Sequence, residues 1–177
     1  KYLLDPQASQ RLLIHMPTGS GKTKTTMEII SDYLRCRSIN TGFEKKTGIV
    51  WLAHTKELCQ QSSESFRLTW DLRGDTAIDV YDLYGDNEYP EDLLDSEKFI
   101  VFAGFQKMHA LRKSNKNLQK RISRKLRDDT NLVIVDEAHK SLATTYSDSI
   151  NYLTKANVDQ QLIGLTATPG RTADDDD

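Results

Sequence analysis

At 177 residues the chain has the length of one domain with a sizeable core and is short for two. Its 37% hydrophobic and 28% charged residues fit a globular class, and no apolar run nears the roughly 20 residues that cross a bilayer. A net charge of −2 spreads no basic field over the molecule, so any nucleic-acid surface has to be local.

The opening KYLLDPQASQ lacks the charged, apolar, small-residue order of a secretory signal. The expected setting is therefore the cytosol, or the nucleus in a eukaryote, with no membrane partner and a monomeric chain. Short apolar runs follow at Leu12–Met16, Ile49–Ala53, Ile78–Leu83, Phe99–Ala103, Leu132–Val135 and Leu162–Leu165. Several are β-branched and flanked by Gly, Asp or Thr, as strands buried on both faces of a sheet require. Helix-compatible stretches separate them at Lys22–Arg37, Lys56–Trp70, Phe105–Arg127 and about Thr145–Ala156. Such alternation predicts an α/β fold, a mainly parallel sheet flanked by helices on both faces. Residues 1–173 are expected to form this one domain and Asp174–Asp177 a repelling acidic tail, without which the net charge of −2 becomes +2.

Directly after the first apolar run stands MPTGSGKT, Met16 to Thr23. Against G-x-x-x-x-G-K-[ST] it matches Gly21-Lys22-Thr23 but has Met16 at the first glycine position. The phosphate-binding mechanism survives this departure. Pro17, Thr18, Gly19, Ser20 and Gly21 form a small-residue loop whose backbone N–H groups can curl around phosphate oxygens at a helix N-terminus. Lys22 would bridge β- and γ-phosphates and the Thr23 hydroxyl would ligate Mg²⁺. An ordinary glycine-rich strand-to-helix turn is the plain alternative.

Cys36 and Cys59 have no companion pair, too few ligands for structural zinc, and are expected as reduced, partly buried thiols. Arg112–Arg127 holds eight Lys or Arg and no acid. It could touch phosphates, but Leu118, Ile122 and Leu126 recur every fourth residue, as in an amphipathic helix with a solvated outer face.

The fifth apolar run continues into acids as LVIVDEAH, Leu132 to His139. An apolar strand carries Asp136 to its C-terminal end, where ligands of open α/β sheets gather and where Asp136 can hold Mg²⁺ through its waters. Glu137 points elsewhere and can act as base toward an attacking water. Adjacent acids after a strand also occur as a helix N-terminal charge pair. A water-activating carboxylate argues against a small-molecule kinase, and no Asn-Lys-x-Asp guanine-reading element is present. ATP hydrolysis by a motor is the expected chemistry.

MPTGSGKT, WLAHTKELCQQ, VIVDEAHK and GLTATPGRT, in this order, resemble motifs I, Ia, II and III of the superfamily 2 helicases and translocases, with Asp-Glu-Ala-His as the DEAH form of motif II. The resemblance runs from about Leu12 to Arg171 and is greatest to the branch of restriction-enzyme motor subunits and DNA-repair helicases. It implies the first RecA-like P-loop domain of a two-domain motor using ATP and Mg²⁺, with Lys22, Asp136 and Glu137 catalytic and Thr23 and Asp136 on the metal. It further implies that His139 couples the nucleotide site to Thr166 and Thr168, whose plain role would be turn hydrogen bonding. Thr55 and Lys56 would meet a nucleic-acid backbone, DNA in preference to RNA, through phosphate contacts that carry no sequence information. Otherwise Thr55 is an N-cap and Lys56 solvated. Where the family often has Thr before an aromatic-Gln pair, this chain has Ala103 and Gly104, which leaves a Gly104 backbone contact. Gln7 and Gln10 lie too close to Met16 to serve as the upstream adenine-reading glutamine. With a second RecA-like domain and its arginine fingers outside the chain, hydrolysis by residues 1–177 alone is expected to be slow, since a finger in a GTPase supplies about 10³–10⁵ in turnover. A nucleotide-gated binding or scaffold module and a stand-alone P-loop phosphotransferase are the alternatives.

Overall fold

The computed structural model describes residues 11–17, 19–40, 46–140, 144–154 and 160–167. Six strands, β1 (Arg11–His15), β2 (Thr47–Ala53), β3 (Asp79–Leu83), β4 (Lys98–Gly104), β5 (Thr130–Val135) and β6 (Gln161–Thr166), form one sheet in the order β1-β6-β5-β2-β4-β3. Every pairing is parallel. The helices are α1 (Lys22–Asn40), α2 (Lys56–Arg73), α3 (Phe105–Lys113), α4 (Asn117–Asp129) and α5 (Thr144–Thr154). The expected strands are all present, within two residues at either end.

The strand order assigns the helices to faces. From β1 to β2 to β3 the chain steps toward one edge of the sheet; from β4 to β5 to β6 it steps back. Right-handed crossovers in opposite directions place their helices on opposite faces. Met27 and Ile30 of α1 and Cys59 and Phe66 of α2 accordingly share one core with Ile49, Trp51 and Ala53. Phe105 and Met108 of α3, Ile122 and Leu126 of α4 and Leu153 of α5 share the other with Val50 and Leu52. Strand β2 thus divides its side chains between two cores by the period-two alternation of a strand, and all seven of its residues are buried.

One expected element is corrected. The stretch Phe105–Arg127 is two helices, because α3 ends at Lys113 and α4 begins at Asn117. Ser114 and Lys116 sit at ψ 142° and 137°, in extended backbone, and the Ser114 hydroxyl accepts the Lys116 N–H. Ser and Asn side chains offer the backbone partners that compete with a helix, and Ser114-Asn115 does so here. The fourfold apolar repeat survives inside α4, with Ile122 and Leu126 fully buried and Leu118 packed against the same core.

Candidate nucleotide site

The site is built at the C-terminal edge of the sheet, where β1, β6, β5 and β2 end. His15 is in register with Thr166, and Val135 with Gly164, so motifs far apart in sequence end side by side. Met16 continues this pairing, its N–H donating to the Thr166 carbonyl at 3.1 Å. The residue that departs from the glycine pattern is thereby occupied in prolonging the sheet. Beyond it the loop tightens: both the N–H and the hydroxyl of Ser20 donate to the Pro17 carbonyl, at 3.2 and 2.6 Å. Gly19 and Gly21 hold φ at 78° and 86° in open space, so the backbone angle, not crowding, calls for glycine. Thr25 N–H donates to the Gly21 carbonyl at 2.9 Å, closing the first turn of α1 and leaving the preceding amides of the helix start without intrahelical acceptors. Thr18 lies outside the described residues; Thr23 follows Lys22 in this first turn and is half-buried.

Lys22 reaches back over the sheet edge to Glu137, with Nζ 3.4 Å from Oε1 and the lysine side chain 10% exposed. Glu137 has a φ of 51°, the one positive φ outside glycine among the described residues. For a residue with a side chain this left-handed backbone is strained, and strain of this sort is retained where a side chain must be aimed. Its aim is held from two sides. The Glu137 N–H donates to Asp136 Oδ1 at 2.9 Å, and Glu137 Oε2 lies 3.3 Å from His139 Nδ1. The same His139 nitrogen is 3.1 Å from Thr166 Oγ1. Asp136 is buried, its N–H donating to the Leu52 carbonyl at 2.8 Å. Lys22, Glu137, His139 and Thr166 therefore form a continuous polar chain across motifs I, II and III.

No stretch of the sequence signals that Lys22 and Glu137 hold each other, or that His15 Nε2 lies 3.2 Å from the Ala167 carbonyl. Register between parallel strands at opposite ends of the described sequence has no local signature. Thr168 lies outside the described residues. Among the described residues no group of three or more His, Cys, Asp or Glu could hold a metal alone. Asp136, buried, and Thr23, half-buried, are oxygen donors of the kind that suit an ion taking its other ligands from phosphates and water, as Mg²⁺ does.

Thr55 and Gly104 stand at the same edge: Ala53 and Gly104 are the paired ends of β2 and β4, and Thr55 follows two residues after Ala53. Thr55 is the N-cap of α2, its hydroxyl accepting the Leu58 N–H at 3.2 Å, so its capping role is realised whatever else it binds. The Glu57 N–H and, after it, the Thr55 hydroxyl lower the Glu57 carboxyl below its ordinary value. Lys56 is exposed beside the Gly85 turn, and Gly104 is the N-cap of α3 with no side chain to offer. His54 is packed between aromatic rings, with centroids 4.9 Å from Phe105 and 4.8 Å from Tyr146. Cys59 is fully buried, and burial pushes its thiol up to about 12.

The sequence profile of the family described as "Type III restriction enzyme, res subunit" matches residues 3–171. The chain is 30% identical over 168 residues to "ATP-dependent DNA helicase mph1" of Aspergillus fumigatus, covering 92% of this chain and 13% of that protein. It is 28% identical over 166 residues to the protein of the same description from Sclerotinia sclerotiorum, covering 92% and 12%. The chain thus spans about an eighth of the length of these relatives. Among solved structures, the Pyrococcus furiosus Hef helicase domain superposes with a TM-score of 0.66 at 28% identity, over 97% of this chain and 32% of that one. The Type ISP restriction-modification enzyme LlaGI, a nuclease-deletion mutant bound to a DNA substrate mimic, shares the fold with a TM-score of 0.59 at 19% identity, over 91% and 16%. With its parallel sheet, its phosphate-type loop and a family match over nearly its whole length, the chain belongs to the Type III restriction enzyme res-subunit family and has the RecA-like fold of superfamily 2 helicase domains.

Proposed function

We propose that this chain is the ATP-binding domain of a nucleic-acid-dependent helicase or translocase, hydrolysing ATP with Mg²⁺ when a second RecA-like domain completes the site. The observation that carries this is the polar chain Lys22–Glu137–His139–Thr166, which ties the phosphate loop to the carboxylate and the carboxylate to the β6 end. Support for a larger assembly comes from scale, since the chain corresponds to 32% of the Hef helicase domain. Residues 1–173 form the domain and Asp174–Asp177 a tail.

The roles follow from the chemistry of each group. Backbone N–H groups from Thr18 to Lys22, in the loop that Pro17 opens, would donate to phosphate oxygens at the α1 N-terminus. A triphosphate is a stronger anion than one carboxylate, so Lys22 would exchange Glu137 for the β- and γ-phosphates. Released, Glu137 would accept the proton of the attacking water. Thr23 and Asp136 would hold Mg²⁺, which supplies charge neutralisation at the transferred phosphoryl group. His139 loses one of its two neighbours when Glu137 moves, and that change reaches Thr166, and through it Thr168, at the segment that would face the second domain. Thr55, Lys56 and Gly104 would contact a nucleic-acid backbone, DNA in line with the relatives, without reading sequence. No helix among the described residues is long and apolar enough to cross a membrane; the setting inferred is cytosolic or nuclear.

The test is DNA-stimulated phosphate release by the full-length protein. Glu137→Gln is expected to retain nucleotide binding and lose about 10²–10⁴ in turnover, the range of a general base. Unchanged turnover would remove Glu137 from its role, and absence of any DNA stimulation in the unaltered protein would remove the motor.

A further inference from the structure

Of the eight cations in Arg112–Arg127, the fold engages three. Lys125 pairs with Asp129 at 3.0 Å, Arg127 with Asp128 at 2.7 Å, and Arg112 lies over the Tyr152 ring, 4.8 Å from its centroid. Asp129 also receives Lys46 at 3.8 Å. The remaining five, Lys113, Lys116, Lys120, Arg121 and Arg124, are exposed, and none makes an ion pair among the described residues. They lie where α3 ends and along the outer side of α4, opposite Ile122 and Leu126. No acidic residue occurs from Lys98 to Arg127 in a chain whose net charge is −2.

An amphipathic helix needs a polar outer face, but it does not need one of a single sign. Lys116, Lys120 and Arg124 repeat every fourth residue, the spacing at which like charges on a helix repel. Lys116 is the N-cap, and the first turn carries Lys120 and no acid, so positive charge faces the positive end of the helix dipole. Both features oppose α4 as an isolated helix, and both become favourable beside a polyanion. The row rises about 6 Å between successive members. Because α4 passes into β5 without a loop at the end of the sheet remote from Asp136, its basic first turn is the part that reaches back toward the site end.

We propose that the outer face of α4 and the α3–α4 turn, with Lys113, Lys116, Lys120, Arg121 and Arg124, is a second phosphate-backbone surface for nucleic acid, separate from Thr55, Lys56 and Gly104. It binds without ATP and without sequence preference, and its affinity is dominated by counterion release.

The experiment measures binding of the 177-residue chain to a labelled DNA duplex by fluorescence anisotropy across a NaCl series, without nucleotide, for the unaltered chain, Lys116→Gln/Lys120→Gln/Arg124→Gln and Lys56→Gln. The triple variant is expected to bind more weakly to all sequences tested, with a log–log salt slope shallower by about 3. Its circular dichroism and ATP-analogue affinity should be unchanged, since Gln is a good helix former and none of the three touches the nucleotide site. A triple variant with the original affinity and slope overturns the α4 surface; if Lys56→Gln then weakens binding, the contacts at the sheet edge stand alone. An unaltered chain that binds phosphatidylserine vesicles but no DNA at low salt also overturns it, in favour of a membrane surface.

Discussion

Gly21 carries a φ of 86° at the point where the loop turns into α1. Gly21→Ala meets no steric obstacle but must hold a left-handed backbone, at about 1–2 kcal/mol. Thermal unfolding should shift down by about 2–8 °C, and ATP-analogue affinity should fall with it because the amides lose their arrangement. An unshifted transition would mean that the loop relaxes to another conformation at no cost. The two cysteines give a second expectation. With its thiol held up at about 12, Cys59 stays protonated and buried at pH 8, whereas Cys36 is half-buried. A maleimide at pH 8 should therefore modify one thiol of the native chain quickly and the second only after denaturation. Two equally fast thiols would contradict the packing of α2 on the sheet. At this scale the identities of Lys22, Asp136 and Glu137 are legible because their chemistry is written in short motifs. That Lys22 and Glu137 pair, and that Glu137 adopts a positive φ to do so, is not legible: both follow from where two strands end.

The elements differ in how they announce themselves. Central strands such as β2 and β4, buried on both sides, show as unbroken apolar runs, and their limits follow. The division of α3 from α4 is hidden, because Ser114-Asn115-Lys116 is polar and helix-compatible and only the packing of Leu111 and Ile122 into one core demands a turn between them. Thr55 has two possible functions on one hydroxyl, and substitution separates them. Thr55→Ala should cost about 1 kcal/mol through loss of the α2 cap, a fall of about 2–4 °C in the unfolding midpoint. Thr55→Asp keeps the cap and places a negative charge at a helix N-terminus, so stability should hold while DNA affinity drops. If the aspartate variant binds DNA as the unaltered chain does, Thr55 is a cap alone.

For the molecule as a whole, the Lys22–Glu137 pair joins the phosphate-type loop to the end of β5. A ligand that replaces this pair should stabilise the fold by mass action. A non-hydrolysable ATP analogue with Mg²⁺ at 100 times its dissociation constant contributes about 2.7 kcal/mol. That amount raises the unfolding midpoint by about 5–10 °C in a chain of this size. Lys22→Ala should abolish most of the increase; a full shift in that variant would mean the analogue binds elsewhere. The sequence alone determines the α/β class, the order of the strands and the chemical inventory of the site, because period and phosphate-loop chemistry are local. The tertiary structure alone decides that β1 lies beside β6 and one strand away from β5. That order brings Lys22 to Glu137, Glu137 to His139 and His139 to Thr166, and it sets the basic face of α4 outward. Such contacts arise from the direction of each crossover over the sheet, which no window of the sequence contains.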